Sequence, residues 1–194
     1  MLKTVWSCEG PRYAFREEVS AMRNTKKAGK GYTLTYRKKT ASADPYLPRG
    51  ASGKTSVCTD CHAVYMNKRW YGDEARYRTA VQHPDTRHIR CPGCLKIRDD
   101  FPGGVVTLRG DVVHLHKQDL LNLVKNEEAR ARGFNPLERV MSIRENGTES
   151  IIINTTNEKM AQRLGRAVKK AFHGDVSYRW SHDNKLVRVD WVRE

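Results

Sequence analysis

Four of the five cysteines lie in two pairs of identical spacing, Cys58-Thr-Asp-Cys61 and Cys91-Pro-Gly-Cys94, while Cys8 stands alone. A CxxC pair can present two thiolates from one tight turn, and two such turns close a tetrahedron around a metal ion. One Zn2+ per chain is the expected cofactor, with Cys58, Cys61, Cys91 and Cys94 as ligands. All four positions would be filled by protein, leaving none for water or substrate, which makes the site structural. The Pro-Gly inside the second pair suits a knuckle whose backbone N–H groups point at the sulfurs and support them. Twenty-nine residues separate Cys61 from Cys91, more than the roughly 15–20 of the compact ribbon spacing, so an enlarged loop is expected between the knuckles. His62, His83 or His88 could replace one cysteine, and an iron–sulfur cluster also accepts four thiolates. A redox pair would need a helix starting at the first cysteine within βαβ surroundings, a setting that Pro92 alone does not establish.

Free thiols persist in a reducing compartment. The chain has no run of about 18 apolar residues and no apolar signal core in MLKTVWSCEGPRYAFREE, so a cytoplasmic, non-membrane protein is expected. Its 36 Lys and Arg against 22 Asp and Glu give a formal net charge of +14, an imbalance that favours a polyanionic partner, nucleic acid before membrane.

Two places concentrate that charge. Residues 1–54 carry 12 Lys or Arg and 4 Asp or Glu. Within them, the segment 23–54 mixes basic clusters with Gly, Ser, Thr and Pro and has few large aliphatics, so it is expected to be flexible until a partner orders it. Lys26, Lys27, Arg37, Lys38 and Lys39 are its candidate phosphate contacts, with Tyr13, Phe15, Tyr32 and Tyr36 interleaved for base stacking. The second place is a helix over 157–172. Its packing face is Met160, Ala161, Leu164, Gly165, Val168, Ala171 and Phe172, and its remaining surface carries Lys159, Arg163, Arg166, Lys169 and Lys170. A solubilising tail and a solvated helix face account for the same charges.

The elements around these sites follow from periodicity. A short helix is expected near 73–82, inside the loop between the knuckles. Val105–Leu108 reads as a short buried strand, and Asp111 as the N-cap of a helix over 112–132 that Gly133 closes and Asn135-Pro136 stops. Its packing stripe runs through Val113, His116, Leu120, Leu123, Val124 and Glu127. Strands at 139–144 and 150–154 flank Asn146-Gly147, a hairpin signal. Thr155 with Glu158 fits a capping box for the basic helix. Strands at 176–180 and 186–192 complete a ββαββ unit. Gly165 and Ala161 leave shallow side chains that let the helix lie close on the sheet.

Other patterns carry less. RGASGKTS has only two residues between its glycines and lacks the flanking strand and helix of a P-loop. His114, His116 and Asp119 suggest a metal triad, but on a helix 116 meets 119 while 114 points away. Trp180 and Trp191 are expected in the core. No paired carboxylates with an obvious pocket, GxSxG elbow or dinucleotide fingerprint occurs, so a non-catalytic protein with no small-molecule substrate is expected.

The order CTDC, CPGC, the stretch GVVTLRGDVVHLHKQDLLNLVKNEEARARGFNPLERV and the ending TTNEKMAQRLGRAVKKAFHGDV with VRVDWVRE resemble an uncharacterised family of small bacterial zinc-ribbon proteins over about residues 55–194. That family is in turn distantly similar to the zinc-ribbon region of the archaeal and eukaryotic large-ribosomal-subunit export adaptor, which has more CxxC pairs and longer partner domains. The resemblance implies a zinc-bound module docking on the ribosome, and only Cys58, Cys61, Cys91 and Cys94 carry over.

The sequence therefore predicts an α+β protein in four parts. These are a basic flexible N-terminal arm (1–55), a four-cysteine zinc ribbon with an enlarged loop (56–100), a strand and connecting helix (101–134), and a ββαββ domain of antiparallel sheet plus helix (135–194). Its expected partner is RNA, ribosomal in kind, with ribosomal proteins as further contacts. Two rivals are a zinc-dependent DNA-binding transcriptional regulator, for which Asn157 is the base-reading candidate, and a metal-dependent nuclease.

Overall fold

Short β-branched and aromatic runs, punctuated by left-handed turn residues, build the first of two sheets in the computed structural model. The model describes residues 44–46, 53–181 and 186–193, all within the unit that spans 39–194. β1 (Ser56–Cys58) and β2 (Val64–Met66) pair antiparallel across the first knuckle, where His62 takes φ +61°. β2 returns as β3 (Arg69–Tyr71) through Asn67 and Lys68, both at positive φ, the conformation that a tight two-residue hairpin needs. α1 (Glu74–Val81) follows, with Asp73 accepting from the Ala75 and Arg76 N–H groups at its N-terminus. β4 (Arg87–Ile89) then lies parallel to β1, giving the order β3-β2-β1-β4. α2 (Pro92–Arg98) starts inside the second knuckle, with Pro92 in its first turn, where the missing N–H costs nothing.

The second sheet has five strands in the order β6-β7-β5-β9-β8. Its elements are β5 (Gly104–Arg109), α3 (Asp111–Leu115), α4 (Lys117–Phe134), β6 (Val140–Glu145), β7 (Ser150–Thr155), α5 (Glu158–Phe172), β8 (Asp175–Trp180) and β9 (Val187–Val192). β5 runs antiparallel to β7 and parallel to β9. The expected antiparallel sheet is therefore mixed, and the strand assigned to a separate 101–134 segment is its centre. Alternating burial along β5 reports that one face is covered, not which strands satisfy its two edges; only the parallel return of β9 decides that.

Three local expectations also change. The helix after Gly110 breaks at His116 into α3 and α4, and α4 runs through Gly133 to Phe134. Gly110, at φ +112°, precedes α3 where Asp111 was expected to cap it. The N-cap of α5 is Asn157, which accepts from Met160 N–H at 2.9 Å, while the Thr155 hydroxyl instead donates to the Gly104 and Asn157 carbonyls.

One core holds this sheet to its helices. Met160, Ala161, Leu164 and Val168 of α5 pack with Val106, Leu108, Ile151, Ile153, Val187, Val189 and Trp191, and α4 adds Leu120, Val124 and Ala131. Ala171 is exposed instead of packed. α5 sits close because two glycines permit it. A Cβ on Gly165 would fall 2.6 Å from Val189 Cγ1, and one on Gly104 would fall 2.5 Å from Ala161 Cβ and 2.7 Å from Thr155 Oγ1. Gly104→Ala should lower unfolding stability by about 1–3 kcal/mol through overpacking. Denaturant melts check this, and Ala161→Gly in the same chain should return part of the loss.

Candidate metal centre

Strand register explains how two knuckles so far apart in sequence meet. Cys58 ends β1, and its register partner across the parallel pair is Ile89, two residues before Cys91. The enlarged loop is thus a hairpin, a helix and a return strand, and the return strand sets the second knuckle beside the first. The four sulfurs lie within 4.8 Å of one another, with Sγ–Sγ distances of 3.8 Å for Cys58–Cys94 and 3.6 Å for Cys61–Cys91. A tetrahedron with metal–sulfur bonds of about 2.3 Å has edges of about 3.8 Å, so the cluster fits one metal ion. Cys58, Cys91 and Cys94 are buried and Cys61 is half-buried. The Cys91 N–H reaches Cys58 Sγ at 3.3 Å, and the Cys94 N–H reaches Cys91 Sγ at 3.4 Å. These are the backbone donors expected of the Pro-Gly knuckle.

The small module also buries Val57 and Val64, on β1 and β2. Its buried cluster is Cys58, Ala63, Tyr65, Trp70, Cys91 and Cys94, with Cys61 and Leu137 packed against it. Crowding perturbs the thiols. Hydrogen bonding with Cys61 and Cys91 holds Cys58 far below the ordinary thiol range, while hydrogen bonding with Cys58 pushes Cys91 far above it. Burial pushes Cys94 up to about 12. Loading a metal therefore displaces protons, and affinity should rise with pH.

The rival histidine ligands stand elsewhere. His62 stacks on Tyr77 with ring centroids 4.1 Å apart and lies 3.5 Å from Glu74. His83 Nδ1 accepts from the Asp85 N–H, and His88 is exposed on β4. His116 meets Asp119 at 3.4 Å and His114 is exposed; among the described residues, only the four cysteines form a metal-sized group.

No family model matches the chain, and no curated protein and no solved structure is significantly similar to it.

Arg139 is the site residue that sequence reading missed. It leads into β6, is 8% exposed, and places Nη1 3.5 Å from Cys94 Sγ while Nε donates to the Pro136 carbonyl at 2.7 Å. Burial works against its charge, but the sulfurs of Cys61, Cys94 and Cys91 outweigh it and raise its pKa above the usual arginine value. Sequence offered no signal, since Arg139 lies 45 positions from Cys94.

Of the basic candidates, Lys159, Arg166, Lys169 and Lys170 are exposed on α5, and Arg163 is half-buried with its Nε enclosed. Lys26, Lys27, Arg37, Lys38 and Lys39, the aromatic residues interleaved with them, and Cys8 lie outside the described residues. Trp191 is core, its Nε1 donating to the His173 carbonyl at 2.6 Å. Trp180 is not: it is 51% exposed on the edge strand β8, stacked with Tyr178 at 5.9 Å. Register puts Trp180 opposite Val187 and Trp191 opposite Val176 on one sheet face, yet only Trp191 is covered there.

Proposed function

We propose that the chain is a non-catalytic zinc protein that binds structured RNA, with ribosomal RNA as the class suggested by its resemblance to ribosome-docking zinc ribbons. The observation that carries the metal half is the convergence of four cysteine sulfurs at tetrahedral spacing. Zinc suits that donor set because it is redox-inert and accepts four thiolates without an open position. Metal analysis of purified protein should give one zinc per chain, and visible absorption from iron–sulfur charge transfer would overturn that assignment.

The RNA half rests on charge. Lys159, Arg166, Lys169 and Lys170 stand exposed on one helix, and the whole chain carries +14. Arg109, Arg144, Arg179 and Arg188 add exposed cations on the second sheet, although Asp190 pairs with Arg109 and Arg179 and Asp100 with Arg144. Neutralising about six phosphates would make affinity fall steeply between about 50 and 200 mM salt. Cosedimentation with ribosomal subunits at low and high salt tests this, and no association even at low salt would sink it.

Competition between duplex DNA and structured RNA separates this reading from the DNA-binding one. Asn157, the residue proposed to read bases, already uses its side-chain oxygen to cap α5. RNA turnover abolished by chelation without unfolding would favour the nuclease. Among the described residues no helix is long and apolar enough to cross a membrane. The cytoplasmic location we propose rests instead on the free cysteines, since free thiols persist in a reducing compartment.

A further inference from the structure

A buried guanidinium demands a counter-charge, because an unpaired charge away from water is costly. Among the described residues no carboxylate lies within ion-pair distance of Arg139. Its enclosed Nη2 has no hydrogen-bond partner, and its Nη1 meets the Cys94 sulfur. Four thiolates around a divalent ion carry a net charge of −2, so the metal-loaded cluster supplies the missing negative charge.

The main chain of the same residue is equally committed. Its N–H donates to the Thr156 hydroxyl at 2.9 Å and its carbonyl accepts the Thr156 N–H at 3.0 Å. From the other side, Lys96 on α2, two residues beyond Cys94, donates to the Thr156 carbonyl at 3.0 Å. Thr156 directly precedes Asn157, the N-cap of the basic helix. Two routes therefore run from the cysteine cluster to the start of α5, one through a thiolate-bound side chain and one through α2.

We propose that Arg139 is a positioning residue of the metal centre, holding the Cys94 thiolate for the metal and linking metal occupancy to the seating of the α5 N-terminus. This rests on the four-cysteine site binding a metal, but not on RNA binding. The role is electrostatic before it is steric, so a neutral side chain of similar length should not replace it.

The test uses full-length protein titrated with Co2+ against a competing chelator, with Arg139→Met and Arg139→Lys alongside. Arg139→Met should bind Co2+ about 10- to 100-fold more weakly, the usual loss when a hydrogen-bond partner of a ligand is removed. The sulfur-to-cobalt charge-transfer band should also shift, a change that mere loosening of the fold would not produce. Arg139→Lys, which keeps the charge, should recover most of both. Hydrogen exchange supplies the second readout: chelating the metal from wild-type protein should speed exchange of the Thr156 and Met160 amides at least tenfold while the centre of β5 stays protected. Unchanged Co2+ affinity and spectrum in Arg139→Met would overturn the proposal, as would unchanged exchange at Thr156 and Met160 after metal removal. Failure of wild-type protein to bind Co2+ at all would overturn the metal reading itself, which separates the two.

Discussion

Full-length Cys58→Ser protein should retain no stoichiometric metal and should lose the β3-β2-β1-β4 sheet while keeping the five-stranded one. The reason is the make-up of the two cores. The small module buries three of its cysteines with Val57, Ala63, Val64, Tyr65 and Trp70, and so little apolar area cannot offset the entropy of ordering its strands. Metal binding is then folding free energy for that module. The larger core, from Val106 through Trp191, contains no cysteine and stands without the ion. Hydrogen exchange read by mass spectrometry should show fast exchange across 56–98 and retained protection across β5, β7 and β9. Chelation of wild-type protein should reproduce the pattern, and acid should promote it, because Cys91 and Cys94 bind protons strongly in the metal-free cluster. Metal retention is therefore lost as pH falls. Cys58→Ser protein with full metal content, or with 56–98 still protected, would contradict a structural role for the ion.

Asp44→Asn should destabilise the folded chain by about 3–5 kcal/mol, because it removes one partner of a buried ion pair. Lys96 Nζ lies 2.5 Å from Asp44 Oδ2, and the two side chains are 8% and 10% exposed. The same ammonium donates to the Thr156 carbonyl. Nearby, the Tyr46 hydroxyl bonds Asp99 at 3.0 Å and its ring packs 5.3 Å from Phe101. Replacing both charges, Asp44→Asn with Lys96→Met, should restore most of the stability, since a buried pair is often no better than apolar groups of the same volume. Thermal melts of the four species at fixed metal content form the double-mutant cycle. Losses in the two single variants that simply add in the double variant would show that the pair contributes no coupling.

These contacts also bear on the boundary drawn at residue 55 for the arm. Asp44 and Tyr46 are fastened to α2 and its exit, so these two residues of the basic segment are held against the folded unit. Composition could not reveal this. A single acidic residue in a Lys-rich stretch reads as solvated until a buried lysine 52 positions away is found opposite it.

Local chemistry was legible wherever the sequence carries its own partner. The two CxxC pairs, the helix after Asp73, the Asn146-Gly147 hairpin and the apolar stripe of α5 each depend on residues a few positions apart, and spacing alone determined them. Neighbours far apart in sequence were not legible. Spacing could not say that β4 returns parallel to β1 and brings Cys91 to Cys58, or that β5 is the centre of the second sheet and makes it mixed. Nor could it say that Arg139 reaches the sulfurs, or that Trp180 stands in solvent while Trp191 fills the core. The physical reason is that hydrogen-bonded strand edges and buried charges accept any partner of suitable chemistry. Which partner arrives is decided by how the whole chain closes.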